Sequence, residues 1–249
     1  MLAHKRIFGG ILALGSALAL LTGCLDKSEA VPTFGGSELY PLTVGTYRIF
    51  AVADTSWKLN KPTITTYQLR ETVADSLPSL PTSVSPAGTS YRVVRARRAD
   101  ATKPWADDSI FVLTSLPQAL LLSRGNRRTV ELLYPVRVGQ VWNRLAFDAQ
   151  DSTDRAYRRV DEPVTLQLPG GQSKQYEHSV RTADLDEDNQ YYHRTSEQIF
   201  VPNVGPVHRR RRNLSTYELG TGGEQTPNPA YIFEGTTHQE VLIEQGRMK

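Results

Sequence analysis

The chain has 249 residues and a near balance of charge, 29 Lys+Arg against 26 Asp+Glu. That balance argues against the strongly basic profile of a nucleic-acid-binding domain. One cysteine, Cys24, rules out an internal disulfide and any cysteine-built metal site, and a lone cysteine in an exported chain calls for a specific use.

The N-terminal pattern supplies that use. His4, Lys5 and Arg6 form a positive leader, and Ile7 to Leu21 is an apolar stretch interrupted by Gly9, Gly10, Gly15 and Ser16. It is too short for a membrane span, which takes about 20 apolar residues, and has the build of a secretory signal. It ends in Leu21-Thr22-Gly23-Cys24, a branched residue and two small ones before a thiol. This is a lipobox: residues 1–23 are expected to be removed, leaving 226 residues (249 − 23) with lipid on Cys24. Residues 24–38 carry Pro32, Gly35 and Gly36 and read as a flexible tether. With Leu25 and no aspartate after the cysteine, the expected location is the outer membrane, facing either the periplasm or the cell surface.

Residues 39–249 form the expected globular domain, and its dominant pattern has a period of two. Alternation begins at Tyr47–Val52 and continues through Ile64–Val73, Ser90–Arg97, Ser109–Thr114 and Thr129–Tyr134. It is clearest at Val164–Leu168, where Pro169-Gly170-Gly171 supplies a turn and Lys174–Arg181 the returning strand. Ser196–Val201, Tyr231–Phe233 and Glu240–Glu244 complete the strand set, while Leu77–Gly88 and Gly220–Pro229 read as loops. Only Ser115–Leu122, with Pro117 in its first turn, has a helical reading. The fold class is all-β: one antiparallel, strongly curved sheet or partly closed barrel, the alternative being two small β-subdomains.

The alternative arises from an internal echo. Tyr40-Pro41-Leu42-Thr43-Val44-Gly45 recurs as Tyr134-Pro135-Val136-Arg137-Val138-Gly139, and a shorter version occurs at Pro202-Asn203-Val204-Gly205. Each glycine precedes a strand, so Gly45, Gly139 and Gly205 are expected in tight turns at positive φ.

These segments carry a family resemblance. Pro41–Tyr47 resembles the "PLxVGNxWxY" opening of Bacteroidetes-type small lipoproteins, and Pro135–Asn143 resembles their second "PLKVGxxWN" segment. Asp108–Phe111 and Asn203–Val207 are similar to the family's "DSVW" and "NVGLVY" segments. Arg48 stands where the first tryptophan is usual, and Pro206 where leucine is usual. The resemblance implies an envelope location and a β-fold and supplies no activity.

A search for chemistry is nearly empty. No nucleophile elbow, phosphate loop, His-Glu-x-x-His or dinucleotide fingerprint occurs. His178, His193, His208 and His238 lack helical ligand spacing. Asp184, Asp186 and Asp188 open like a calcium loop, but Asn189 and Thr195 replace its glycine and its bidentate glutamate, which favours an acidic hairpin turn. Trp57, Trp105 and Trp142 read as core or rim, or as the lining of a groove. Arg209, Arg210, Arg211 and Arg212 follow His208 as the densest charge run. In a strand Arg209 and Arg211 share one face, and His208, Arg210 and Arg212 the other. Either this is a solvated edge strand whose charges deter pairing, or one face opens on a wet concavity that binds anionic lipid or glycan.

The expectation is a lipid-anchored envelope protein, a non-enzymatic binding or scaffold module with no cofactor. The alternatives are a carrier of an apolar ligand in a concave sheet and a hydrolase with a dispersed site. The membrane, through the lipid anchor, is the expected partner, and nucleic acid is not.

Overall fold

The computed structural model describes residues 34–79, 88–149, 151–185 and 188–248. The signal segment, Cys24, most of the tether and Asp186 lie outside the described residues.

After a 3-10 turn at Ser37–Leu39, six strands follow as a meander: β1 (Thr46–Lys58), β2 (Lys61–Ser79), β3 (Gly88–Arg98), β4 (Ala106–Leu116), β5 (Ala119–Arg124) and β6 (Arg127–Leu133). The second half comprises β7 (Val141–Asn143), β8 (Asp154–Gln167), β9 (Ser173–Asp184), β10 (Tyr192–Val201) and β11 (Gly205–Ser215). A small hairpin of β12 (Tyr217–Leu219) and β13 (Gln225–Pro227) precedes β14 (Glu234–Arg247). Among the described residues, twelve strands make one antiparallel sheet in the order β6-β5-β4-β3-β2-β1-β14-β11-β10-β9-β8-β7. Every neighbour in that order is also the next sheet strand in the chain, apart from the β1–β14 pairing that joins the two halves.

The sheet curls until β6 and β7 approach each other. The Val130 amide donates to the Arg144 carbonyl (2.9 Å), and Trp142 Nε1 donates to the Val130 carbonyl (3.0 Å). The result is an up-and-down barrel closed at this seam by a few bonds in place of a full ladder. The expected single curved sheet is therefore found. The echo marks something other than two subdomains: its first two copies each open a six-stranded half of one barrel.

Three local expectations are corrected. Ser115–Leu122 is the β4–β5 hairpin, with Pro117 and Gln118 in its turn and Leu120 and Leu121 paired with Ser115 and Thr114. Tyr231–Phe233 is not a strand, since its backbone stays outside the ladders and Phe233 stacks on Tyr217 (4.8 Å). Residues 34–38, assigned to the tether, belong to the packed body: Phe34 bridges Val136, and the Glu38 carbonyl accepts from the Asn203 amide.

Antiparallel alternation sends β1, β3, β5, β7, β9 and β11 all in one direction, from one barrel end to the other. The end where they start is closed. There the segment from Phe34 to Gly45 lies across the opening, and Leu39 and Tyr40 are buried among Val73, Val136 and Phe200. Arg48 takes the place of an apolar side chain in this plug, donating Nε to the Val204 carbonyl (2.9 Å) and Nη2 to the Pro41 carbonyl (2.8 Å). It thereby ties the first and third copies of the echo together. Burial of such side chains is worth roughly 1.5–3 kcal/mol each, so this end is the stable base of the fold.

Gly45, Gly139 and Gly205 adopt φ of 86°, 76° and 103°. At Gly139 an added Cβ would meet nothing within 4 Å, so only backbone strain opposes substitution. Gly139→Val is expected to cost about 1–3 kcal/mol and to lower the melting temperature by several degrees in a thermal melt. A larger loss would indicate contacts beyond the backbone.

Candidate functional site

The interior is not a plain apolar core. Above the plug, β2, β3, β11 and β14 each contribute one charged residue to a buried quartet. Glu71 and Arg95 are directly cross-strand, as are Arg209 and Glu240. Arg209 Nη1 reaches Glu71 (2.7 Å) and Glu240 (2.6 Å), and Arg95 Nη2 reaches the same two acids (2.6 and 3.0 Å). Both carboxylates are 2% exposed, a depth at which ions persist only when paired. Burial alone would raise the Glu71 pKa, but the adjacent Arg209 and Arg95 outweigh it and hold it down at about 2. Tyr40 closes the quartet from the plug side, its hydroxyl donating to Glu71 (3.3 Å).

A second buried network stands across the barrel. Arg155 on β8, 1% exposed, donates Nε to Asp184 (2.5 Å) and Nη1 to Glu131 (3.0 Å). Thr129 and Gln198 also donate to Glu131 (2.6 and 3.0 Å). Arg144 Nε lies 3.5 Å from the far oxygen of Asp184, too long for a good hydrogen bond.

Between the two networks a cavity of about 380 Å³ opens at the barrel end opposite the plug. The quartet and Phe111, Leu122 and Phe200 form its floor and walls. Three further arginines, Arg124 at the end of β5, Arg144 just after β7 and Arg211 on β11, line it toward the mouth. Among the described residues Arg124 and Arg211 have no acidic partner; Arg124 instead lies over the Phe111 ring (5.1 Å). Arg127, also at the opening, is paired with Asp148 and Asp151. Burial lowers the Arg124 pKa, and the like charges of Arg95 and Arg209 add to the effect. Arg144 is lowered by burial and then by Arg155, with Arg211 contributing.

His238 lies on the same wall. Its Nδ1 meets Asp54 (2.6 Å) and its Nε2 meets Glu240 (3.0 Å). Ser196 lines the cavity too. With both ring nitrogens engaged by carboxylates, however, His238 has none left to take a serine proton. The bond to Glu240, opposed by burial, raises its pKa.

No protein-family model matches the chain, and no curated protein does. Among solved structures, a proposed exported protein with a YmcC-like fold from Bacteroides fragilis is similar at 13% identity. The alignment covers 84% of this chain and 98% of that one, with a TM-score of 0.42.

The residues singled out from sequence divide in an instructive way. β11 is paired on both sides, with β10 and with β14, so the arginine run does not lie on an edge strand. Its inner face carries Arg209, committed to the quartet, and Arg211, at the mouth; Arg210 and Arg212 pair across β14 with Gln239 and Thr237 on the outer face. Asp184 is spent on Arg155, and Asp188 bridges to His193, so the two described aspartates of the calcium pattern point to separate partners. Among the described residues no group of three acidic, histidine or cysteine side chains is arranged to hold a metal ion. Trp142 packs on Tyr157 (4.7 Å), Trp105 sits between Arg70 and Arg98 on the outer face, and Trp57 is half-buried on β1. None of the three lines the cavity.

Glu71, Arg95, Glu131, Arg155 and Glu240 escaped the sequence reading. The available signal was a charge at an apolar parity position, as in Leu69-x-Glu71-x-Val73 or Glu240-x-Leu242. In a two-faced strand such a residue sits on the buried side.

Proposed function

We propose that this protein is a non-enzymatic binding module of the cell envelope, taking a polar ligand into the open end of its barrel. The observation that carries the reading is the cavity floor, where four buried charges hold fixed positions beneath an accessible opening. An apolar ligand would have to desolvate guanidinium groups without pairing them, a cost that argues against the carrier alternative. The engagement of both His238 nitrogens argues against the hydrolase alternative.

The lipobox at Cys24 and the resemblance to Bacteroidetes-type lipoproteins support lipid anchoring in the outer membrane. No helix among the described residues is long and apolar enough to cross a membrane. Phe34, the first described residue, packs at the plugged end. Cys24→Ser should abolish processing and membrane fractionation together; a mutant that still pellets with membranes at wild-type yield would refute the anchor.

Native mass spectrometry of protein isolated from its own cells tests the binding reading. The expected result is a bound polar small molecule, lost when Ser196→Trp fills the mouth. A bound fatty acyl chain, or a ligand retained by the filled variant, would overturn it.

A further inference from the structure

The geometry points to a multiply charged oxyanion, a clustered phosphate or carboxylate group, as the ligand of this cavity, held by Arg124, Arg144 and Arg211 at its mouth. This rests on the reading of the open end as a binding site and adds its chemistry. The interior charges fall into two sets. The deep cations are neutralised: Arg95 and Arg209 balance Glu71 and Glu240, and Arg155 faces two acids, Glu131 and Asp184. The mouth set is not. Among the described residues Arg124 and Arg211 lack an acidic partner, and Arg144 shares Asp184 at 3.5 Å with an arginine that holds it more closely.

The three guanidiniums come from different parts of the barrel wall, on β5, after β7 and on β11. They therefore approach a shared ligand from several directions, which suits an ion with several acceptor oxygens better than a single planar fork–fork pair. Guanidinium is also the cation best matched to such oxygens and the least costly to strip of water. Keeping like charges at one partly desolvated opening is unfavourable unless an anion joins them, and Arg124 and Arg211, with Arg144 only 3.5 Å from a shared acid, call for more than one negative charge. A single monoanion leaves part of that charge unmatched.

The cavity is of a size for a small molecule or the end of a longer chain.

Titration calorimetry on the full mature chain at low salt decides the matter, with pyrophosphate, citrate and glucose as probes. Pyrophosphate, citrate or both should bind and glucose should not; which anion binds separates phosphate from carboxylate chemistry. Arg124→Gln and Arg211→Gln should each weaken binding on the order of ten-fold, as expected for the loss of a charged hydrogen bond. Arg212→Gln, on the outer face, should leave it unchanged, and added salt should weaken it throughout. Both mouth residues are exposed, so their variants should melt like the wild type. Absence of binding by either anion, or equal losses from Arg211→Gln and Arg212→Gln, would overturn the inference. A neutral polar ligand found by mass spectrometry would sink the oxyanion assignment while leaving the binding reading intact.

Discussion

Replacing Arg155 by methionine is expected to cost about 3–5 kcal/mol, the usual penalty for removing one partner of a buried ion network. Arg155 is 1% exposed and is the shared donor of Glu131 and Asp184, which are themselves 9% and 3% exposed at the side chain. Methionine fills much of the space and leaves two carboxylates facing each other across the vacated guanidinium. Arg144, at 3.5 Å from Asp184, is placed to compensate only in part. For a domain of this size each kcal/mol moves the melting temperature by roughly 2–4 °C, so a calorimetric scan should show a fall on the order of 10 °C. The triple variant Arg155→Met, Glu131→Gln, Asp184→Asn should recover much of that loss, since a neutral interior no longer contains an orphan charge. A single variant that melts with the wild type would mean water already solvates this network.

Acid is expected to unfold the barrel in a defined window. Burial opposes ionisation of Glu131, but Arg155 and the Thr129 hydroxyl outweigh it and hold its pKa at about 2 against an ordinary 4.5. Glu71 is held down at about 2 and Glu240 well below its ordinary value, in each case by Arg209 and Arg95 against the effect of burial. A depressed folded pKa means that the unfolded chain takes up protons first as pH falls. The stabilisation is therefore complete above about pH 4.5 and drains away as pH drops toward 2. At about 1.4 kcal/mol per pH unit per proton, Glu131 alone contributes on the order of 3 kcal/mol. The arginines stay charged throughout, so nothing offsets the loss. Urea midpoints should fall steeply between pH 4 and 2.5; a profile that stays level from pH 5 down to pH 2.5 would show that these acids are not ion-paired.

The same charges mark the limit of what the sequence displays. Period-two alternation at Ile64–Val73, Val164–Leu168 and Ser196–Val201 leads directly to β2, β8 and β10, because each strand has one buried and one wet face. The echo of Tyr40–Gly45 at Tyr134–Gly139 marks where each half of the barrel begins. The β4–β5 hairpin was obscured because Ala119–Leu122 is apolar at every position, which leaves no period to read. The candidate site was harder still. Arg209 and Arg211 are adjacent in parity and identical in kind, yet one meets Glu71 and Glu240 while the other meets no acid among the described residues. That distinction depends on partners 138 and 31 residues away in the chain, and local pattern cannot supply them. Arg124 and Arg144, lone arginines near turns, join Arg211 only when the sheet closes.

Comparing Arg209→Gln with Arg211→Gln in thermal melts tests the division of the interior into a neutralised floor and an unneutralised mouth. The two substitutions make the same chemical change two residues apart on one face of one strand. Arg209→Gln leaves two buried carboxylates with Arg95 as their one shared arginine, beside Tyr40 and His238, and should lower the melting temperature on the order of 10 °C. Arg211→Gln should leave it within about a degree, since isolated surface changes are worth little, while weakening the binding of oxyanions. Equal effects on stability, or a larger effect from Arg211→Gln, would contradict the account.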